Sequence, residues 1–137
     1  MKQVAVAVAY NPVEEKFLVL KRAPARDVHA GKWEFASGKI EDETAREAAL
    51  RELEEETGFL GEVVRSAEPV EVDTEDGDFL IHPFLVVVKG TKPQLSREHT
   101  RWKWIFAEDI PDMDTVPELE KDLRALGIET GTGYSPN

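Results

Sequence analysis

Three glutamates in the run Arg51-Glu52-Leu53-Glu54-Glu55-Glu56-Thr57-Gly58 are spaced to act together. A helix advances about 100° per residue. Glu52, Glu55 and Glu56, at i, i+3 and i+4, therefore share one face, and Glu54 points away from it. Ala49, Leu50 and Leu53 fall on a neighbouring arc suited to a core. Carboxylates at i, i+4 repel by roughly a few tenths of a kcal/mol, more when partly desolvated. A hard divalent cation removes that conflict: Mg²⁺ takes oxygen ligands and is commonly shared between carboxylates and substrate phosphates. With no cysteine and three histidines in the chain, a zinc site is disfavoured. Arg51 can pair with one of these carboxylates and orient it. Acid runs also form plain solvated helix faces, so the surroundings decide. Ser37-Gly38-Lys39 lies just upstream, where a turn brings backbone groups beside the helix.

The elements that must hold this face are legible in outline. Gln3 to Ala9 alternates small and β-branched residues, as a strand does. Asn11-Pro12 turns the chain, and Phe17 to Leu20 reads as the second arm of a hairpin. Ala23 to Lys32 reads as a loop. Trp33 to Phe35 is a short apolar piece ended by a turn at Ser37-Gly38. The spacing predicts a helix over Thr44 to Thr57, with Thr44 as N-cap and Glu47 completing a capping box, and Gly58 stopping it. Glu62 to Val72 is extended, Asp76-Gly77 signals a hairpin, and Asp78 to Val88 returns. Trp102 to Phe106 is a further strand. Pro117 to Leu126 is a final helix with Leu119, Leu123 and Leu126 on one side, ended by Gly127. Few helices among segregated strands predict an α+β fold, a mixed sheet sandwiched by helices.

Composition narrows the function classes. The chain has 137 residues, the size of one domain, and 41% are hydrophobic, enough for one core. Acidic residues number 28 against 17 basic ones, a formal net charge of −11. Such a surface repels a nucleic-acid backbone, whose binding is driven largely by Lys and Arg, so no nucleic-acid partner is expected. No apolar run approaches the ~20 residues that span a bilayer. The opening MKQVAVAVAY lacks the pattern of a secretory signal. No membrane association is expected, and the cytoplasm is the expected compartment.

The segment Gly38 to Phe59 resembles the Nudix box, G-x5-E-x7-R-E-U-x-E-E-x-G-U with U bulky and apolar. Arg51, Glu52, Leu53, Glu55, Glu56, Gly58 and Phe59 fit its second half without a gap. In the first half the family's glutamate position is Thr44, and Glu43 stands one residue early, the pattern of a one-residue deletion between Ile40 and Glu43. Upstream, Glu34-Phe35-Ala36-Ser37-Gly38-Lys39-Ile40-Glu41 is similar to the family's E-F-P-G-G-K-I-E.

The resemblance implies a Nudix-type α/β/α sandwich over residues 1–128, followed by a flexible tail, 129–137. It implies that Glu55 and Glu56 bind Mg²⁺, with Mn²⁺ as substitute, and that Glu52 is a further ligand or the base that activates water. The backbone carbonyl of Ser37 would complete a metal site, and Arg51 would hold the carboxylates. Glu98, in Ser96-Arg97-Glu98-His99, is the candidate for a second catalytic glutamate from a later loop, and His99 reads as structural. Lys39, Arg22 and Phe35 are the expected substrate contacts. A base pocket would draw on Val4, Phe35, Phe79 or Ile81.

The implied activity is hydrolysis of a pyrophosphate bond in a nucleoside triphosphate or another nucleoside-diphosphate-linked substrate, releasing a nucleoside monophosphate. Lys21-Arg22 and Trp33 to Glu41 look like the MutT branch. That branch's base-reading asparagine should lie between Pro111 and Pro117, where this chain has Asp112-Met113-Asp114-Thr115-Val116, so specificity for oxidised guanine is not expected. Dinucleoside polyphosphate or ADP-ribose hydrolysis is the alternative within the class. A nucleotide-binding sensor without catalysis is the alternative outside it, and the intact Arg51, Glu52, Glu55 and Glu56 argue against that. The partner is a small nucleotide, and the protein is expected as a monomer or homodimer.

Overall fold

The alternation in the first strand sets the architecture. In β1 (Lys2–Asn11) the small Ala5, Ala7 and Ala9 face one side of a sheet, and Val6, Val8 and Tyr10 face the other. In β2 (Lys16–Arg22), Leu18 and Leu20 join the alanines while Phe17 and Val19 join the larger residues. Period-2 alternation with both faces apolar requires cover on both sides. The computed structural model describes residues 1–26, 28–75 and 77–130, and it supplies that cover. Helix α1 (Ala45–Thr57) lies on the alanine face; a 3₁₀ turn, Ala107–Asp112, and helix α2 (Leu119–Ala125) lie on the other. The expected α/β/α sandwich with a mixed sheet is the observed fold.

The remaining strands are β3 (Trp33–Glu34), β4 (Ala36–Lys39), β5 (Glu62–Ser66), β6 (Val70–Thr74), β7 (Gly77–Val87) and β8 (His99–Ile105). The sheet runs β3-β2-β1-β7-β5; β4 pairs with β1, β6 with β7 and β8 with β2. The β1–β7 pair is parallel, from Lys2 opposite Phe79 to Tyr10 opposite Val87, and the other pairs are antiparallel.

Helix α1 begins as its sequence dictates. Thr44 Oγ1 accepts from the Glu47 N–H at 3.1 Å, and Glu47 Oε1 accepts from the Thr44 N–H at 3.0 Å. The helix ends at Gly58 with φ +77°, a left-handed conformation that glycine adopts without steric cost. Ala48, Ala49 and Leu53 are fully buried on the sheet. Burying a leucine such as Leu53 contributes about 1.5–3 kcal/mol. The short side chains of β1 beneath the helix let it approach closely, which fixes the height of its carboxylates above the sheet.

Four expectations need correction. Ser37-Gly38 is no turn: both residues lie in β4, paired with Val6 and Ala5, where small residues let α1 pack directly over the strand. The stretch Glu62 to Val72 is two strands, broken between Ser66 and Val70, where Pro69 lacks the N–H a ladder needs. The last strand begins earlier, at His99. The final helix is shorter, although Leu119, Leu123 and Leu126 are buried together as expected and Gly127 ends it at φ +79°. Asp76 of the expected hairpin and residues 131–137 of the expected tail lie outside the described residues. Among the described residues, no helix is long and apolar enough to cross a membrane.

Candidate active site

Strand β4 passes under the carboxylate edge of α1, and the two are fitted residue to residue. Gly38 stands against Glu52 so closely that a Cβ there would overlap the carboxyl group. The Ser37 N–H donates to Glu56 Oε2 at 3.2 Å. The three glutamates have unequal surroundings: Glu56 is 2% exposed, Glu52 is half-buried, and more than half of the Glu55 side chain is open to solvent.

Arg51 gathers the acids around it. Its Nη2 donates to Glu43 Oε1 at 2.6 Å, and its Nε donates to both Glu43 oxygens at 3.1 Å. Nη1 donates to Glu52 at 3.0 Å and to Glu55 at 3.2 Å, and Nη2 also reaches the Lys39 carbonyl at 3.1 Å. These bonds hold the Glu43 carboxyl below its ordinary range and raise Arg51 further above its own. Glu43, one residue early when counted from Gly38 but seven residues before Arg51 as in the box, is thus built into the cluster.

The electrostatics of α1 are strained in one direction. Glu56 is pushed up to about 10, first by burial, then by its hydrogen bond with Glu52 and the charges of Glu34, Glu52 and Glu98. Glu52 is raised too, by burial first, with Arg51 opposing. Adjacent carboxyls that cannot all ionise require a proton or a cation between them.

A cleft of about 470 Å³ opens over this face, lined by Glu41, Arg51, Glu52, Glu55, Glu56, Ser96, Arg97 and Glu98. Five carboxylates face two guanidinium groups there, and the donor atoms are oxygens. That set fits a hard divalent cation such as Mg²⁺ or Mn²⁺.

The structure brings together Arg51, Glu52, Glu55 and Glu56 with Glu98, which lies more than 40 residues away in the chain. Ser37 adjoins the site through its N–H. Lys39 lies at the exposed end of β4. Arg22 and Phe35, expected against the substrate, are placed elsewhere. Arg22 Nη1 is committed to Glu34 at 2.8 Å and its Nε to the Val28 carbonyl at 2.9 Å. Phe35 is 3% exposed inside the core cluster on the α2 face. Ile81 is likewise buried there, with Val4 and Phe79 packed on its rim.

Two residues of this region have no counterpart among the expected site residues. Glu34 is buried, and its carboxylate meets Arg22 and, at 2.7 Å, His99 Nε2. Burial opposes its ionisation, yet the His99 hydrogen bond and the Arg22 charge together hold it below the ordinary range. Its signal was a lone charge between Trp33 and Phe35, since a charge in an apolar strand must have a buried partner. Its partner His99 is fully buried at the start of β8, as a structural histidine would be.

Comparison with known proteins places this geometry. The family model described as NUDIX domain matches residues 1–126. The CTP pyrophosphohydrolase of Escherichia coli (strain K12) is 46% identical over 70 residues, covering 48% of this chain and 51% of that protein. The match therefore spans about half the length of that curated relative. The RNA pyrophosphohydrolase of Erythrobacter litoralis is 31% identical over 118 residues, covering 70% of this chain and 71% of its own. The crystal structure of a MutT protein from Methanosarcina mazei Go1 superposes with a TM-score of 0.74 at 27% identity, covering 88% of each chain. With the family model covering nearly its whole length, the chain belongs to the NUDIX family.

Proposed function

We propose that the protein is a divalent-metal-dependent hydrolase that cleaves a nucleoside triphosphate to a nucleoside monophosphate and pyrophosphate. The observation that carries this reading is the convergence of Glu52, Glu55, Glu56 and Glu98 on one cleft, with Arg51 bonded to Glu52 and Glu55. The E. coli relative named for CTP supports a nucleoside triphosphate as substrate.

Glu52, Glu55 and Glu56 would hold Mg²⁺ or Mn²⁺, with the Ser37 carbonyl beside them. When bound, the cation neutralises phosphate charge and lowers the pKa of water. This also explains how a protein of net charge −11 accepts a polyphosphate. Arg51 keeps Glu52 in one orientation, so it need not reorganise during the reaction. Glu98 is half exposed across the cleft, where it can accept the proton of the attacking water. Arg97, on the cleft wall, supplies positive charge for phosphate oxygens, and Lys39, whose carbonyl accepts from Arg51, is the second candidate for that role.

The test is a substrate panel of nucleoside triphosphates including CTP, dinucleoside polyphosphates and ADP-ribose, with Mg²⁺ or Mn²⁺. Products are resolved as phosphate or pyrophosphate. Monophosphate and pyrophosphate from a triphosphate are expected. Release of phosphate alone, or turnover of none of the compounds, overturns the reading.

A further inference from the structure

The buried ion pair behind the cleft is connected to it. Arg22, near the end of β2, donates to one oxygen of Glu34, and His99 Nε2 meets the other at 2.7 Å. A register shift between Lys21 and Arg22 sets Arg22 opposite His99 in the β2–β8 ladder, and Glu34 lies opposite Leu20 in the β2–β3 ladder. The second ring nitrogen, Nδ1, faces Glu56 Oε1 at 3.6 Å and has no hydrogen-bond partner among the described residues. Glu56 Oε2 meanwhile receives the Ser37 N–H. Both polar atoms of a fully buried imidazole are therefore turned to carboxylates, one on β3 and one on α1.

Glu34, Glu56 and His99 offer ligand atoms that all lie within 4.8 Å of one another, but the trio is closed to an ion of its own. Both Glu34 oxygens are occupied, and the Arg22 guanidinium already neutralises that carboxylate. The 2.7 Å contact is a hydrogen bond, so His99 Nε2 is engaged by Glu34 rather than free to ligate. The arrangement instead matches a support in which a second carboxylate fixes the orientation of a histidine.

We propose that His99, locked by Glu34 and Arg22, is a positioning residue that fixes the Glu56 carboxylate for the cation. The inference rests on the reading of Glu56 as a metal-holding residue given above. Three strand ends, those of β2, β3 and β8, then converge on one oxygen of α1. His99 also anchors the strand that carries Glu98 immediately before it. His99→Gln separates the two roles: the amide reaches the Nε2 position and keeps a bond to Glu34, but leaves nothing at the Nδ1 position.

The experiment is Mn²⁺ binding followed by electron paramagnetic resonance on the wild type, Glu56→Gln, His99→Gln and Glu34→Gln, with circular dichroism to check folding. Outer partners of this kind alter metal affinity about 10–100-fold. His99→Gln is expected to remain folded and to raise the Mn²⁺ Kd by about tenfold or more. Glu34→Gln is expected to weaken binding in the same direction, and it decides the matter should His99→Gln not fold. If Glu56→Gln loses Mn²⁺ while folded His99→Gln and Glu34→Gln bind as the wild type does, this inference alone fails. If the wild type does not bind Mn²⁺, or Glu56→Gln binds unchanged, the site reading fails with it.

Discussion

At the scale of single residues, burial divides a row of similar glutamates into different roles. Glu56 is buried and pushed up to about 10, Glu52 is held by Arg51, and Glu98 keeps half of its side chain in solvent. Glu98→Gln should therefore reduce kcat by about 10²-fold or more, the scale of general acid–base catalysis, with a smaller change in KM. Steady-state kinetics on the preferred nucleotide check this, and an unchanged kcat would return Glu98 to the surface. The helical carboxylates were legible because helix period alone places i, i+3 and i+4 together. Glu34 and His99 were not read as a pair, because 65 positions separate them and only tertiary structure joins β3 to β8. The Arg22–Glu34 pair was hidden for a related reason: a cation near a phosphate-binding motif reads as free until its buried acid partner is known.

At the scale of elements, the turn between β4 and α1 decides how the cluster is assembled. Glu43 accepts from Arg51 across the same seven-residue interval as in the family's box, and its carboxyl also accepts from the Glu41 N–H at 3.3 Å within the shortened turn. Inserting Gly between Asp42 and Glu43 restores the family's interval from Gly38, leaves the seven residues between Glu43 and Arg51 unchanged, and loosens the link that ties this pair to β4. Hydrolysis should fall about tenfold or more, since small misplacement of a positioned group can cost 10²-fold. Thermal melting should change little, because the capping box of Thr44 and Glu47 lies beyond the insertion. Wild-type turnover in the insertion variant would mean that the short turn is a tolerated deletion rather than an adapted feature. The cap was readable from four residues; the strand at Ser37-Gly38 was not. Ser and Gly are turn formers by local propensity, and here pairing with β1 and the need for small side chains beneath α1 overrode that preference.

Across the whole molecule, the fold class followed from element order, and the two-sided sheet from alternating large and small residues in β1. The burial of Asp122 on the inner face of α2 was not visible, because an aspartate in an acid-rich helix reads as solvated. Burial first, and the Glu118 charge second, push Asp122 up to about 8. Between its ordinary 3.8 and about 8 the folded protein binds more protons than the unfolded chain. This stability is complete below about 4 and is lost as pH rises through about 8. Asp122→Asn should flatten the fall of Tm across that window and raise Tm above wild type at pH 8; an unchanged slope would place the group in solvent. The central claim, that the carboxylates of α1 carry metal-dependent cleavage, is tested most directly by the turnover of a nucleoside triphosphate by Glu56→Gln and wild type at saturating Mg²⁺. Loss of kcat by about 10³-fold or more is predicted, with the circular dichroism spectrum and Tm retained, an effect within the range of one lost electrostatic group. Turnover within a few-fold of wild type by a folded Glu56→Gln protein would contradict it.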